Sequence, residues 1–127
     1  MASYERVGLA SNRRRALFVL QAVAASAALD PGEMLAPTRR NARVALGRQV
    51  AIYLSHVSLG MSLRQVAMAL GRDRTTAAHA CRVVEERRED ARFDAWVQAL
   101  EGAIRSVPFE EGPDFYGYES VRGAGRA

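Results

Sequence analysis

The sequence predicts an all-α, compact helical domain built on a helix-turn-helix, followed by an extra C-terminal helix and a flexible tail. Three observations predict it. Alanine is abundant and aromatics are only 7%, which suits close-packed helices better than a sandwich or barrel. Apolar residues recur at three- and four-residue spacing in several separate windows. In LGRDRTTAAHACRVVE, Gly71 ends one such window, and Asp73 stands ready to cap the next.

The elements follow in order. Residues 1–11 are mixed in character and read as a mobile start. A first helix spans roughly residues 13–28, with Leu17, Leu20, Val23, Ala24 and Ala27 on one face, and Asp30-Pro31-Gly32 breaks it. A short turn is expected at Met34-Leu35, ended by Pro37. Thr38 to Arg43 form a basic connector. A second helix runs from about residue 43 to 56 or 58, its stripe being Leu46, Val50, Ile52, Tyr53 and Val57, and Gly60 closes it. Ser62-Leu63-Arg64-Gln65 fits a capping box for a third, two-turn helix with Leu63, Val66, Ala67 and Leu70 inward. The fourth covers about residues 73–89 and turns Ala77, Ala80, Cys81 and Val84 inward. A fifth, residues 91–107, carries Phe93, Trp96, Val97, Leu100 and Ile104, and Pro108 ends it. Residues 12–107 therefore read as one domain and residues 108–127 as an acidic, aromatic appendage rich in Gly and Pro.

The chain has 127 residues and is 49% hydrophobic, enough for one modest core. The single cysteine, Cys81, excludes an internal disulfide. Arg13-Arg14-Arg15 before ALFVLQAVAASA has the outline of an export signal, but Gln21 interrupts the apolar run, and a first helix is the better reading. No apolar run is long enough to span a membrane, so a cytoplasmic, nucleoid-associated protein is expected. His79 and Cys81 sit two apart on a helix and point in different directions, which argues against a metal site. No paired carboxylates, no nucleophile beside a base and no GxxxxGK[ST] loop occur, so neither an enzyme nor any cofactor is expected.

Charge is unevenly placed. All 18 basic residues are arginine. Residues 13–82 hold 11 arginines against 3 acids, whereas residues 83–127 hold 6 against 10. A basic block that ends in a recognition-type helix points to a polyanion. In a helix-turn-helix the N-terminal part of the second helix enters the major groove. Thr75 offers a hydroxyl and a methyl there, Asp73 an acceptor for cytosine, and Ala78 lets the helix sit deep. Thr76 shares that first turn. Arg74, His79 and Arg82 lie on the same side. Arg39, Arg40, Arg43, Arg48, Arg64 and Arg72 complete the expected DNA-binding set.

The wording SLRQVAMALGRDRTTAAHACRVVE resembles the C-terminal DNA-binding domain of the bacterial initiator DnaA, a Trp-repressor-like helix-turn-helix with a signature close to S-L-x-x-I-G-x-x-F-G-G-R-D-H-T-T-V-x-H-A-x-x-K-I. Upstream, RRNARVALGRQVAIYL is similar to the family's basic connector and next helix, and VAASAALDPGEML to its entry segment. The resemblance spans roughly residues 20–89. It implies that Arg40 enters the minor groove, that Asp73, Thr75, Thr76 and His79 contact bases or phosphates, and that Arg48 and Arg72 lie near the backbone. Three departures stand out: Arg74 replaces the family's histidine, Arg64 its proline, and the turn has lost one glycine. Arginine for histidine exchanges a ring that meets thymine for a fork that seeks guanine or phosphate.

Two function classes follow. One is sequence-specific binding of double-stranded DNA at sites resembling DnaA boxes, regulating replication initiation or transcription, with a monomer as the expected state and a dimer through the fifth helix as the alternative. The other is an interaction protein that mimics the initiator's last domain and sequesters a factor controlling DnaA, with DnaA or such a regulator as the partner of the fifth helix and the tail. The first predicts steep salt dependence, log K falling by about 0.9 per phosphate contact.

Overall fold

The computed structural model describes residues 2–37 and 41–108. The connector residues Thr38, Arg39 and Arg40 and the tail from residue 109 onward lie outside the described residues. Among the described residues the chain forms six helices and no strand: α1 (Ala2–Ala27), α2 (Pro31–Leu35), α3 (Ala42–Val57), α4 (Leu63–Leu70), α5 (Arg74–Arg87) and α6 (Ala91–Arg105).

Helix α1 begins at Ala2, well before the start expected at Arg13. No proline or turn signal interrupts residues 2–12, and Gly8 alone is a modest penalty of about 1 kcal/mol. It ends at Ala28, which takes a left-handed φ of 57°, and the Leu29 N–H closes back onto the Ala24 carbonyl at 2.9 Å. The turn expected at Met34-Leu35 is a one-turn helix, capped by Asp30 and opened by Pro31 in the first helical position, where its missing N–H costs nothing.

Helix α3 is the spine. It packs most extensively on α1 and α5 and also touches α2 and α4. That position explains why its burial is broader than a single stripe. Val50, Ala51, Ile52, Tyr53, Leu54 and Ser55 are consecutive and all buried, because neighbours cover nearly the whole circumference there. Val57, placed inward by its spacing, is 48% exposed; it is the last helical residue, beyond the reach of both neighbours. Leu46 is half-buried against the core.

The α4 boundaries match their sequence signals. Ser62 accepts from the Gln65 N–H at 3.0 Å, and Gln65 returns the bond to the Ser62 N–H at 2.9 Å. Gly71 ends the helix at φ 69°, a conformation that a side chain would strain. Asp73 then caps α5. Helix α6 buries Val97, Leu100 and Ile104, while Phe93 and Trp96 are partly covered. The Trp96 indole donates to the Ser26 hydroxyl at 2.6 Å, tying α6 to α1.

Arg88, just beyond α5, joins three elements. It donates to the Tyr53 hydroxyl at 3.1 Å, to Glu101 at 2.9 and 3.4 Å, and to Asp94. Its guanidinium is pushed up from its ordinary value, chiefly by the Glu101 bond, so it stays charged at any physiological pH.

Two substitutions separate core from surface. Leu54 is fully buried and Met68 is 52% exposed. Leu54→Ala is expected to cost about 2–5 kcal/mol in urea unfolding through the cavity it leaves, and Met68→Ala to stay within about 0.5 kcal/mol of wild type.

Candidate nucleic-acid interface

The pair α4–α5 and its three-residue turn present the N-terminal half of α5 outward. Arg74, Thr75 and Thr76 are exposed, as are His79 and Arg82, with Ala78 partly covered between them. The opposite face, Ala77, Ala80 and Val84, is fully in the core. Arg64, Arg74, His79 and Arg82 are exposed and make no hydrogen bond or ion pair to another described residue. This is the face the 3.6-residue period predicts.

Asp73 anchors the face. Its carboxylate accepts from the Thr76 N–H at 2.7 Å. That bond is the main reason its carboxyl lies below the ordinary value of 3.8. The carboxylate satisfies one of the unpaired N–H groups of the first turn, so it starts the helix.

The basic residues divide in a way that spacing did not anticipate. Arg43 donates to the Ala27 carbonyl at 2.6 Å. Arg48 donates through Nε to the Met34 carbonyl at 2.7 Å. Arg72 reaches the carbonyls of Ala36 at 2.6 Å, Met34 at 3.3 Å and Pro37 at 3.4 Å. All three belong to the expected DNA-binding set, Arg48 and Arg72 by resemblance near the DNA backbone; here they bind carbonyls at or just past the ends of α1 and α2. Arg13 and Arg15, given no role by the sequence reading, do the same for Ala69 and Leu59. Arg39 and Arg40 lie outside the described residues.

Between α3 and α5 runs a groove of about 520 Å³, lined by Arg48, Gln49, Ile52, Arg72, Thr76 and His79 among others. Sequence reasoning missed Gln49 and Ile52 as groove residues. Gln49 follows Arg48 in the segment that resembles the family, and that adjacency was the available signal. Among the described residues no group of His, Cys, Asp or Glu could hold a metal ion, and no helix is long and apolar enough to cross a membrane.

A short capped helix, a glycine turn and a second helix with one buried and one outward polar face define a helix-turn-helix domain. The family model described as the bacterial dnaA protein helix-turn-helix matches residues 17–84, and the chain belongs to that family. The chromosomal replication initiator protein DnaA of Thermomicrobium roseum is 38% identical over 94 residues, which is 73% of this chain and 19% of that relative. Two solved structures share the fold. A DNA replication initiation factor superposes with TM-score 0.69 at 30% identity, over 83% of this chain and 31% of the other. A replication initiator DnaA bound to AMPPCP and single-stranded DNA superposes with TM-score 0.70 at 29% identity, over 84% and 32%. The chain thus spans about a fifth of the curated relative and about a third of the solved chains.

The cap gives a pH-dependent prediction. Because the Asp73 carboxyl is depressed in the folded state, its contribution is complete above the unfolded value near 3.8 and is lost as pH falls through the folded value. Asp73→Ala should therefore melt below wild type at neutral pH. The gap should narrow as the wild-type carboxylate protonates in strong acid. Thermal melts followed by circular dichroism at both pH values check this, and an unchanged gap in acid would contradict it.

Proposed function

We propose that this chain binds double-stranded DNA sequence-specifically, at sites resembling DnaA boxes, and thereby regulates chromosome replication initiation, transcription or both. The observation that carries this reading is the outward face of α5, with Arg74, Thr75, His79 and Arg82 exposed around the partly covered Ala78. These are side chains that reach base edges or phosphates, arranged about a position small enough for close approach. Membership of the DnaA helix-turn-helix family supports the same conclusion. No chemical step is required of the site, and none of its residues forms a nucleophile–base pair.

The division among the arginines refines the mechanism. Arg48 and Arg72, held by carbonyls, stand at fixed positions on the groove rim. A phosphate on the groove rim would meet donors that lose little entropy on binding. Arg74 and Arg82, exposed and without a partner among the described residues, are the side chains that order on contact. By the family resemblance Arg74 stands where the signature has histidine, and its fork suits guanine.

Titration against labelled duplexes tests the proposal: a DnaA box, a scrambled box, and a box with guanine where the family's histidine reads, each at two salt concentrations. A preference of about tenfold or more for a box, lost in Thr75→Ala and Arg40→Ala, is the expected result, since each mismatch costs on the order of 1–3 kcal/mol. Preference for the substituted box assigns Arg74 as the altered reader. Weak, equal binding to all three would contradict sequence-specific recognition and favour a protein partner.

A further inference from the structure

The groove beside α5 has a chemistry that DNA alone does not explain. Its floor is apolar, with Ile52 and Ala80 buried and Val83 half-covered. Its rim carries Arg48 and Arg72, positioned by the carbonyls of α2 and the residues after it. The Arg72 Nε is buried and has no hydrogen-bond partner among the described residues. Among the described residues that line the groove, none is acidic. An apolar floor under fixed guanidiniums is complementary to aromatic rings flanked by carboxylates, which gain ring burial, cation–π contact and charge-assisted hydrogen bonds together.

The chain itself supplies such a segment. Phe109-Glu110-Glu111-Gly112-Pro113-Asp114-Phe115-Tyr116-Gly117-Tyr118-Glu119 alternates aromatics with acids and contains no basic residue. It follows α6 directly. The segment is thus carried by the same domain that holds the groove. Tethering raises its effective concentration to about the millimolar range.

We propose that residues 109–119 dock in the α3–α5 groove, with aromatic rings over Ile52 and Val83 and carboxylates against Arg48 and Arg72. So placed, the segment covers Thr76 and His79 and competes with DNA for the α5 face. The docking stands on the groove and the segment; its consequence for DNA rests on the function proposed above. Occupied molecules are not competent to bind DNA, so apparent affinity falls in proportion to the open fraction.

The test uses the full chain. Amide NMR spectra without DNA compare wild type with a Glu110→Gln/Glu111→Gln/Asp114→Asn/Glu119→Gln variant and with a Phe115→Ala/Tyr116→Ala variant that keeps every charge. The expected result is displaced amide signals at Thr76, His79 and Val83 in both, partly restored by adding a peptide of residues 109–119. Duplex affinity should rise about threefold or more in the aromatic variant. Unchanged α3 and α5 amides in both variants would overturn the docking, even if the charge-neutralised variant bound DNA more tightly. Displaced amides in a chain that binds no duplex would support the docking and overturn the DNA reading instead.

Discussion

The structure depends on what satisfies the carbonyls at the ends of its helices. An α-helix leaves its last four carbonyls without partners, and a small bundle of short helices buries many such ends close together. Arginine side chains meet that need. Arg13 serves Ala69, at the end of α4. Arg15 serves Leu59, beyond α3. Arg43 serves Ala27, at the end of α1. Arg48 and Arg72 converge on the carbonyls at and after the end of α2. Each places positive charge at the negative end of a helix dipole. Arg72 goes furthest, for it stands in the turn between α4 and α5 and binds carbonyls more than thirty residues earlier in the chain. The turn and the segment leading to the basic connector are thereby held together.

This constraint sets the shape of the interface. Since Arg72 is fixed between Gly71 and Asp73, the turn cannot rotate freely, and α5 leaves it in one direction. The Asp73 cap then starts α5 with its first turn outward. Gly71 permits the left-handed step with nothing crowding its Cβ position. Burial of Ala77, Ala80 and Val84 against α3 fixes the helix's rotation, so Thr75, His79 and Arg82 have only one side to face. Packing, capping and charge thus position the same helix through independent interactions, and the polar face is what remains exposed after each is satisfied.

Much of this was legible in the chain. Alternation of apolar windows with Pro and Gly breaks located the helices, and Ser62, Gln65 and Asp73 marked helix starts within a residue, because capping is a local interaction between neighbours. The α5 face was legible for the same reason, since its period is a property of one helix. What was not legible depends on distant contacts. Burial all around the middle of α3 requires knowing that two helices flank it, so Leu54 and Ser55 escaped the stripe while Val57 was wrongly included. The early start of α1 reflects an absence of breakers rather than a positive signal. The carbonyl bonds of the arginines were the least legible feature. A count of charges along the sequence cannot tell a guanidinium facing solvent from one bound to a carbonyl thirty residues away, and only the first kind is wholly available to a polyanion.

The proposed reading surface for duplex DNA is α5, in a domain whose turn is held by Arg72 and Asp73. Amide NMR of the full chain on addition of a DnaA-box duplex addresses it directly. The account predicts that signals of Arg74, Thr75, Ala78, His79 and Arg82 move or broaden on binding, while those of Trp96, Val97 and Leu100 in α6 stay in place. Perturbation confined to α6, with α5 unmoved at saturating duplex, would contradict it.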